Sequence, residues 1–355
     1  MHQVMIHPAS YDTVRAAIDS AFNLFPQNLK DKKVVIKPNV LRGSEAAEGI
    51  VTHPAVLAAV VDKVQRMGPA SIVVGDNPGL FSYGANEAAF EQTGLMAASR
   101  GHYRNIGLDA VALPFHPDFM ETVNVSRAIV EADIVISLPK FKTHGLTVMT
   151  GAIKNSYGIL PGAQKARLHK RAGNPARFHD VVVAVFGMRV PDLFIVDAVV
   201  GMEGNGPASP ELRKIGLILA GDNAVAVDAV MAAMMGLDPG RLRFLRRAYE
   251  AGLGTWNMDE IRIDGHLVPL DHFKLPPLGG EAIQDNAAVQ DMLESKSRLT
   301  PRADPDGCTA CGTCVAQCPA QALSMPDDLP QVDMDRCVTC FCCQEICPEK
   351  AMVLQ

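Results

Sequence analysis

The sequence predicts an α/β protein: a layered, mostly parallel sheet domain followed by a small, cysteine-rich α+β unit. Three observations carry this. Short Val- and Ile-rich runs alternate with helix-like stretches from the start to about residue 270. Those runs are apolar throughout, which marks strands covered on both faces. All nine cysteines lie between residues 308 and 347, so the end of the chain follows a different plan.

The strand candidates, in order, are KKVVIKP, ASIVVGD, ADIVISLP, DLFIVDAVV and IGLILAGD. Between them, Thr52 is placed to cap the helix HPAVLAAVVDKVQRM, with Pro54 in its first turn and Gly68 just past its end. NAVAVDAVMAAMM, after Asp222, reads as a second helix, apolar nearly all round and so buried. KLPPLGGEAIQDN is turn-rich, and AVQDMLESKSRL reads as one amphipathic helix. The expected division is an α/β domain over 1–274, a linker with a helix over 275–300, and the cysteine-rich domain over 301–355.

A chain of 355 residues accommodates one large and one small domain. Its net charge of −6 gives no global electrostatic case for nucleic acid or an anionic membrane as partner. The start, MHQVMIHPASYD, lacks the basic region and apolar core of a secretory signal. The most apolar stretch, 215–235, contains Asp222, Asn223 and Asp228, which argues against a membrane helix. A cytoplasmic location is expected by elimination.

Two cysteine runs carry the strongest signal: CTACGTCVAQCP from Cys308 and CVTCFCCQEICP from Cys337. Each has the spacing C-x2-C-x2-C-x3-C-P, and the second repeats the first 29 residues later at all four cysteines. Pro319 repeats as Pro348 and Ala322 as Ala351, so this is an internal duplication. Three cysteines close in sequence wrap three corners of a [4Fe-4S] cubane, and the fourth, before proline, caps the cluster of the other half. The expected ligand sets are Cys308, Cys311, Cys314 and Cys347 for one cluster, and Cys337, Cys340, Cys343 and Cys318 for the other. Cys342 is left over and reads as a thiol without a ligand role. Zinc ribbons use two C-x2-C pairs per ion and need neither the third cysteine nor the C-P.

Ligands of open α/β sheets bind beyond the carboxyl ends of the strands. The polar residues there are Lys37 and Asn39, Asp76 and Asn77, then Lys140, Lys142 and His144, with Asp197 and Asp222 further on. GAIKNSYGILPG adds Lys154, Asn155 and Tyr157. Lysines gathered at one edge favour a small anionic ligand. His144 is the candidate proton donor, because histidine titrates near working pH. His169 and His179 are weaker candidates, and Asp228 reads as a buried, hydrogen-bonded carboxylate. GMEGNGP offers Glu203 and Asn205 as ligand contacts, but its G-x2-G-x-G spacing followed by proline is not a dinucleotide fingerprint. No Walker A motif is present, and nothing demands NAD, FAD or ATP.

KPN at 37, THP at 52, GDNPG at 75, PKFKTHG at 139, GAIKNSYG at 151, D-x3-GMEGNGP from Asp197 and D-x5-D-x-V-x4-M-G from Asp222 follow one another along the chain. As an ordered set they resemble the iron–sulfur family called domain of unknown function 362, in the version ending in a ferredoxin domain. The resemblance spans nearly the whole chain. It implies an α/β domain joined to a bacterial ferredoxin-like domain with two [4Fe-4S] clusters, and it strengthens the strand-end residues as a site.

The leading expectation is an anaerobic oxidoreductase passing electrons from the clusters to a small anionic substrate, or to a further cofactor, in the α/β domain. Lys142 and His144 would act catalytically, with Lys37, Asn39, Asp76, Asn77, Lys140, Lys154, Asn155 and Glu203 binding the substrate. Two other readings stay open. One is a non-catalytic electron-transfer or maturation partner that docks another protein, a redox protein being one such partner. The other is an acid–base enzyme acting next to a carboxylate, with structural or regulatory clusters.

Overall fold

The computed structural model describes residues 1–79, 82, 84–276 and 300–354. All five Val/Ile runs are strands of one nine-stranded sheet. In chain order its members are β1 (His2–Pro8), β2 (Lys33–Pro38), β3 (Ser71–Val74), β4 (Ile134–Leu138), β5 (Lys140–His144), β6 (Val148–Thr150), β7 (Leu193–Met202), β8 (Leu212–Gly221) and β9 (Ile261–Asp264). The lateral order is β9-β1-β8-β7-β4-β2-β3, with β5 alongside β7 and β6 hairpinned to β5. Pairing is parallel except at β1–β8, β8–β7 and β5–β6. Along β2, Val35 faces one apolar core while Val34 and Ile36 face the other. Both sheet faces are therefore covered, which is why the centres of β2, β3, β4, β7 and β8 are runs of successive apolar residues.

Because β8 runs antiparallel, its end at Gly221 lies beside Phe194 at the start of β7. Asp222 is therefore exposed at the opposite edge from the other strand-end residues. PKFKTHG, read as a segment following a strand, is itself strand β5. It continues the chain from β4 alongside β7, so Lys140, Lys142 and His144 are all buried.

Helix α1 (Pro54–Arg66) begins one residue later than expected, for His53 rather than Thr52 is its cap, accepting from the Ala55 amide at 3.1 Å. Thr52 is buried and used elsewhere. Its hydroxyl accepts from the Asn39 amide (2.8 Å) and donates to the Leu138 carbonyl (2.6 Å), tying together the ends of β2 and β4. Helices α2 (Ala152–Asn155), α3 (Gln164–Ala172) and α4 (Pro175–Met188) follow β6. Helix α5 (Ala224–Met234) is the buried apolar helix, capped by the Asn223 side chain on the Ala226 amide at 3.0 Å. The amphipathic helix expected at 288–299 lies outside the described residues.

The cysteine-rich unit repeats at 29 residues in backbone as well as in ligands. Helix α6 (Thr313–Ala316) is matched by α7 (Cys342–Ile346). Strand β10 (Pro301–Ala303) pairs with β13 (Met352–Leu354), and β11 (Leu323–Ser324) with β12 (Gln331–Val332). Left-handed residues recur at the same offset: Ala310 and Thr339, Gly312 and Phe341, Gln321 and Lys350.

Candidate functional site

Beyond the carboxyl ends of β2, β3 and β4 lies a cavity with about 780 Å³ of empty space, part of it open to solvent. Asn39, Asp76 and Asn77 enter from the turns after β2 and β3, and Lys142 and His144 from β5. Lys154 and Asn155 come from α2, and Lys165 and His169 from α3. Helix α7 of the cysteine-rich unit closes the far wall with Cys342, Glu345 and Ile346.

The floor is a buried polar network. Lys37 Nζ lies 2.7 Å from Asp76 Oδ1 and donates to Asn155 Oδ1 at 3.2 Å. Asn39 Nδ2 donates to the same oxygen, and the Val40 amide donates to Asp76 Oδ2 at 2.8 Å. Burial pushes the lysine and the carboxyl towards their neutral forms, and each opposes that push in the other. Gly158 sits against the pair: a Cβ there would lie 2.1 Å from Asp76 Oδ1. Lys37 was expected to contact an anion; instead it lies beneath the lining with its charge already paired.

The remaining cations do face the cavity. Lys142 Nζ donates to the Ile50 carbonyl at 2.6 Å, and burial together with nearby Lys154 lowers it to about 7. The Lys154 ammonium lies over the rings of Tyr157 (5.7 Å) and Phe178 (5.9 Å). Lys165 donates to the carbonyls of Asn77 and Pro78 and is lowered to about 8 by burial. Three lysines against Asp76, already paired, and Glu345 leave the cavity with surplus positive charge.

His144 Nδ1 accepts from the amides of Leu146 (3.1 Å) and Thr147 (3.4 Å), so the proton of the neutral ring is on Nε2. Nε2 faces Glu345 Oε1 at 3.1 Å. Burial and the neighbouring Lys154 lower the ring to about 4. Burial alone would raise the Glu345 carboxyl, but His144 and Lys154 outweigh it and hold it ionised. His144, expected as the proton donor, is thus neutral near pH 7. Of the lining lysines, Lys142 is lowered to about 7 and Lys165 to about 8, so both are drawn towards neutrality.

Two further expectations are corrected. Lys140 is drawn away from the cavity by Asp197 (2.7 Å) and the Tyr11 hydroxyl (3.1 Å). Glu203 pairs with Arg213 at 3.3 Å instead of lining the site. The glycines of GMEGNGP serve backbone packing: a Cβ on Gly206 would lie 2.1 Å from the Thr143 carbonyl of β5. Asp228 accepts the Ala152 and Ile153 amides at 2.6 and 3.0 Å and is raised to about 7 by burial. It anchors the start of α2, and a Cβ on Gly151 would lie 2.0 Å from its Oδ1. His179 bonds the Leu146 carbonyl through Nε2 at 2.9 Å and lies away from the cavity lining.

The cysteines surround two smaller cavities. One is lined by Cys308, Cys311, Cys314 and Cys347, the other by Cys318, Cys337, Cys340 and Cys343. Apart from these thiols the walls are largely apolar, with Met325, Pro330 and Met352 around the first set and Ala320, Leu323 and Val332 around the second. The Ala322 and Ala351 amides each donate to the sulfur of a pre-proline cysteine, Cys318 and Cys347, at 3.3 Å. Four soft donors in a largely dry pocket, with amides aimed at sulfur, suit a cubane cluster.

Residues 34–233 match the family described as Domain of unknown function (DUF362), and residues 300–348 match a 4Fe-4S dicluster domain. The chain belongs to the DUF362 family. It is an iron–sulfur protein whose ferredoxin-like C-terminal domain binds two [4Fe-4S] clusters. A thylakoid-associated protein of Synechocystis sp. is 32% identical over 229 residues, covering 62% of this chain and 68% of that one. A crystal structure of a Thermotoga maritima protein is similar at TM-score 0.39 and 14% identity, covering 69% of this chain and 58% of that one. Among the described residues no helix is long and apolar enough to cross a membrane.

The contact between the DUF362 domain and the ferredoxin-like domain runs through the second half of the duplication. Phe341 is buried in the DUF362 core. Gln344 donates to the Asn205 carbonyl at 3.0 Å, and Lys350 pairs with Glu48 at 3.2 Å. Sequence reasoning missed Lys165 and Glu345 as lining residues and gave Cys342 no place in the site. A signal existed. At the 29-residue offset the first half has Gly312, Thr313, Val315 and Ala316 where the second has Phe341, Cys342, Gln344 and Glu345. Those departures are the docking residues.

Proposed function

We propose that this protein is an iron–sulfur oxidoreductase that exchanges electrons with a small anionic substrate, or a further cofactor, held in the cavity between its two domains. One observation carries the reading: a lysine-rich cavity at the strand ends of the DUF362 domain is walled by the helix that carries a cluster-binding loop. Cys308, Cys311, Cys314 and Cys347 would hold one cluster, and Cys318, Cys337, Cys340 and Cys343 the other. When bound, the clusters supply single-electron transfer at low potential.

The chain's own residues supply the rest. Lys154 and Lys165 attract and orient the anion, and the surrounding burial strengthens that attraction. Lys142, held near neutrality, exchanges the proton. Neutral His144 sits 3.1 Å from Glu345 at the wall, while Asn39, Asn77 and Asn155 offer hydrogen bonds for specificity. Cys311 is exposed, which supports electron exchange with a redox protein partner on the outer side.

The test uses protein purified without oxygen. Its iron and sulfide are measured, small molecules released on denaturation are identified by mass spectrometry, and anionic metabolites are screened for reoxidation of the reduced clusters. Reoxidation by one anion class, lost in Lys142→Met, is the expected result. Reoxidation that is unchanged in Lys142→Met and Lys154→Met would sink the site. The lowered Lys142 also favours a second reading, acid–base chemistry next to a carboxylate; turnover indifferent to cluster redox state would select it.

A further inference from the structure

One buried cation is unaccounted for by the cavity. Arg42, from the turn after β2, is 4% exposed, yet among the described residues its Nε and Nη2 have no hydrogen-bond partner, while Nη1 donates to the Gly43 carbonyl at 3.0 Å. Glu48 is its ion-pair partner among the described residues, at 3.8 Å, a distance too long for a hydrogen bond. Glu48 in turn is drawn to Lys350 of the ferredoxin-like domain at 3.2 Å. The Arg42 turn also adjoins that domain, since Leu41 and Ile346 line the same cavity. A Cβ added to Gly79 would be 3.1 Å from the Leu41 carbonyl and 3.8 Å from Ile346, next to Cys347. Cys347 and Glu349 are among the groups whose charge acts on the guanidinium. Leaving guanidinium donors buried and unpaired is costly, so a group of negative charge is expected opposite them.

We propose that Arg42 is a positioning residue of the DUF362 domain that sets the potential of the cluster held by Cys308, Cys311, Cys314 and Cys347. The inference rests on the ligand sets assigned under Proposed function. A reduced cluster carries one more negative charge than an oxidised one, so a fixed, poorly solvated cation on the turn that meets the domain holding that cluster stabilises the reduced form. Arginine suits the task because it stays protonated when buried. Glu48 partly offsets the cation, and Lys350 engages Glu48 only while the two domains are docked. The outer cluster's potential is thereby tied to domain contact.

The experiment is a redox titration of the full-length, cluster-loaded protein followed by electron paramagnetic resonance, with iron content measured on each variant. Cys311→Ser marks the signal of the outer cluster. In Arg42→Gln the reduced-to-oxidised ratio of that cluster at fixed poise falls about tenfold, equivalent to about 59 mV for one electron. The other cluster moves less. Arg42→Lys restores most of the shift. Glu48→Gln moves the same cluster in the opposite direction, which mere loosening of the interface would not do. An unmoved outer signal in Arg42→Gln at full iron content overturns the proposal, as do shifts of one sign in both Arg42→Gln and Glu48→Gln. Cys311→Ser leaving both signals intact would instead remove the ligand assignment on which the proposal stands.

Discussion

The two halves of the C-terminal duplication share a backbone and differ in what surrounds it. In the first half the left-handed position after Cys311 is Gly312, with open space where a side chain would be, and Cys311 is exposed. In the second, Phe341 holds the same conformation at φ 57° and is 1% exposed, locked into the core of the neighbouring domain. A bulky residue in that region costs about 1–2 kcal/mol, and burying its ring offsets the strain. One half thus leaves its ligand loop exposed at Cys311, reaching the cavity through Gln317, while the other supplies the helix that walls it. Identical ligand spacing says nothing of this division; the residues between the ligands make it.

The comparison breaks most visibly at Phe341. Phe341→Gly gives the second half the first half's residue, and the lost ring outweighs the relief of strain. We expect a destabilisation of about 2–4 kcal/mol, read as a lower unfolding midpoint of the cluster-loaded protein. The reciprocal Gly312→Phe gains no packing and costs about 1–2 kcal/mol through the backbone alone. Equal effects in the two halves would show that Phe341 contributes nothing by docking.

Glu345→Ala, again the first half's residue, removes an anion from the cavity. At pH 6, where Lys142 is cationic, acetate is expected to bind about tenfold more tightly, or ~1.4 kcal/mol, by calorimetry. Weaker binding would mean that Glu345 positions the cations and does not merely offset them.

The pH dependence sharpens the same point. Lys142, lowered to about 7 by burial, is charged below that pH and neutral above it. Acetate binding should therefore weaken several-fold between pH 6 and 8, and Lys142→Met should shrink the step and move what is left of it upward, towards the value of about 8 to which Lys165 is lowered. Stability has its own sign: between about 7 and the ordinary lysine value of 10.5 the unfolded chain binds more protons, so this residue's contribution to stability rises with pH in that window.

The smallest effect belongs to Gln344→Val, the Val315 equivalent. It removes one hydrogen bond to the Asn205 carbonyl, at about 1 kcal/mol. Faster amide exchange around 201–207 is the readout, and exchange unchanged there would place the docking energy elsewhere.

Much of the site was legible because strand ends in a parallel sheet converge. Asn39, Asp76, Asn77, Lys142, His144, Lys154 and Asn155 fall around one cavity. Lys140 and Lys142 show the limit. They are two residues apart on one strand, yet Asp197 holds one in a buried pair and the other lines the site. Spacing could not separate them, since the pairing partner lies 57 residues away. Glu203 misled for a like reason, its glycine-rich loop being shaped by close packing on β5 and not by a ligand.

By itself the sequence determined the covered sheet, through runs of successive apolar residues at the strand centres, and the two-cluster domain, through a ligand spacing repeated at 29 residues. Both are local patterns, set by backbone periodicity and the corners of a cubane. Only the tertiary structure decided which lysines keep a free charge, which histidine stays neutral, and which half of the duplication faces the cavity. Those outcomes depend on burial and on charges brought together from distant parts of the chain, and neither is written in any one segment.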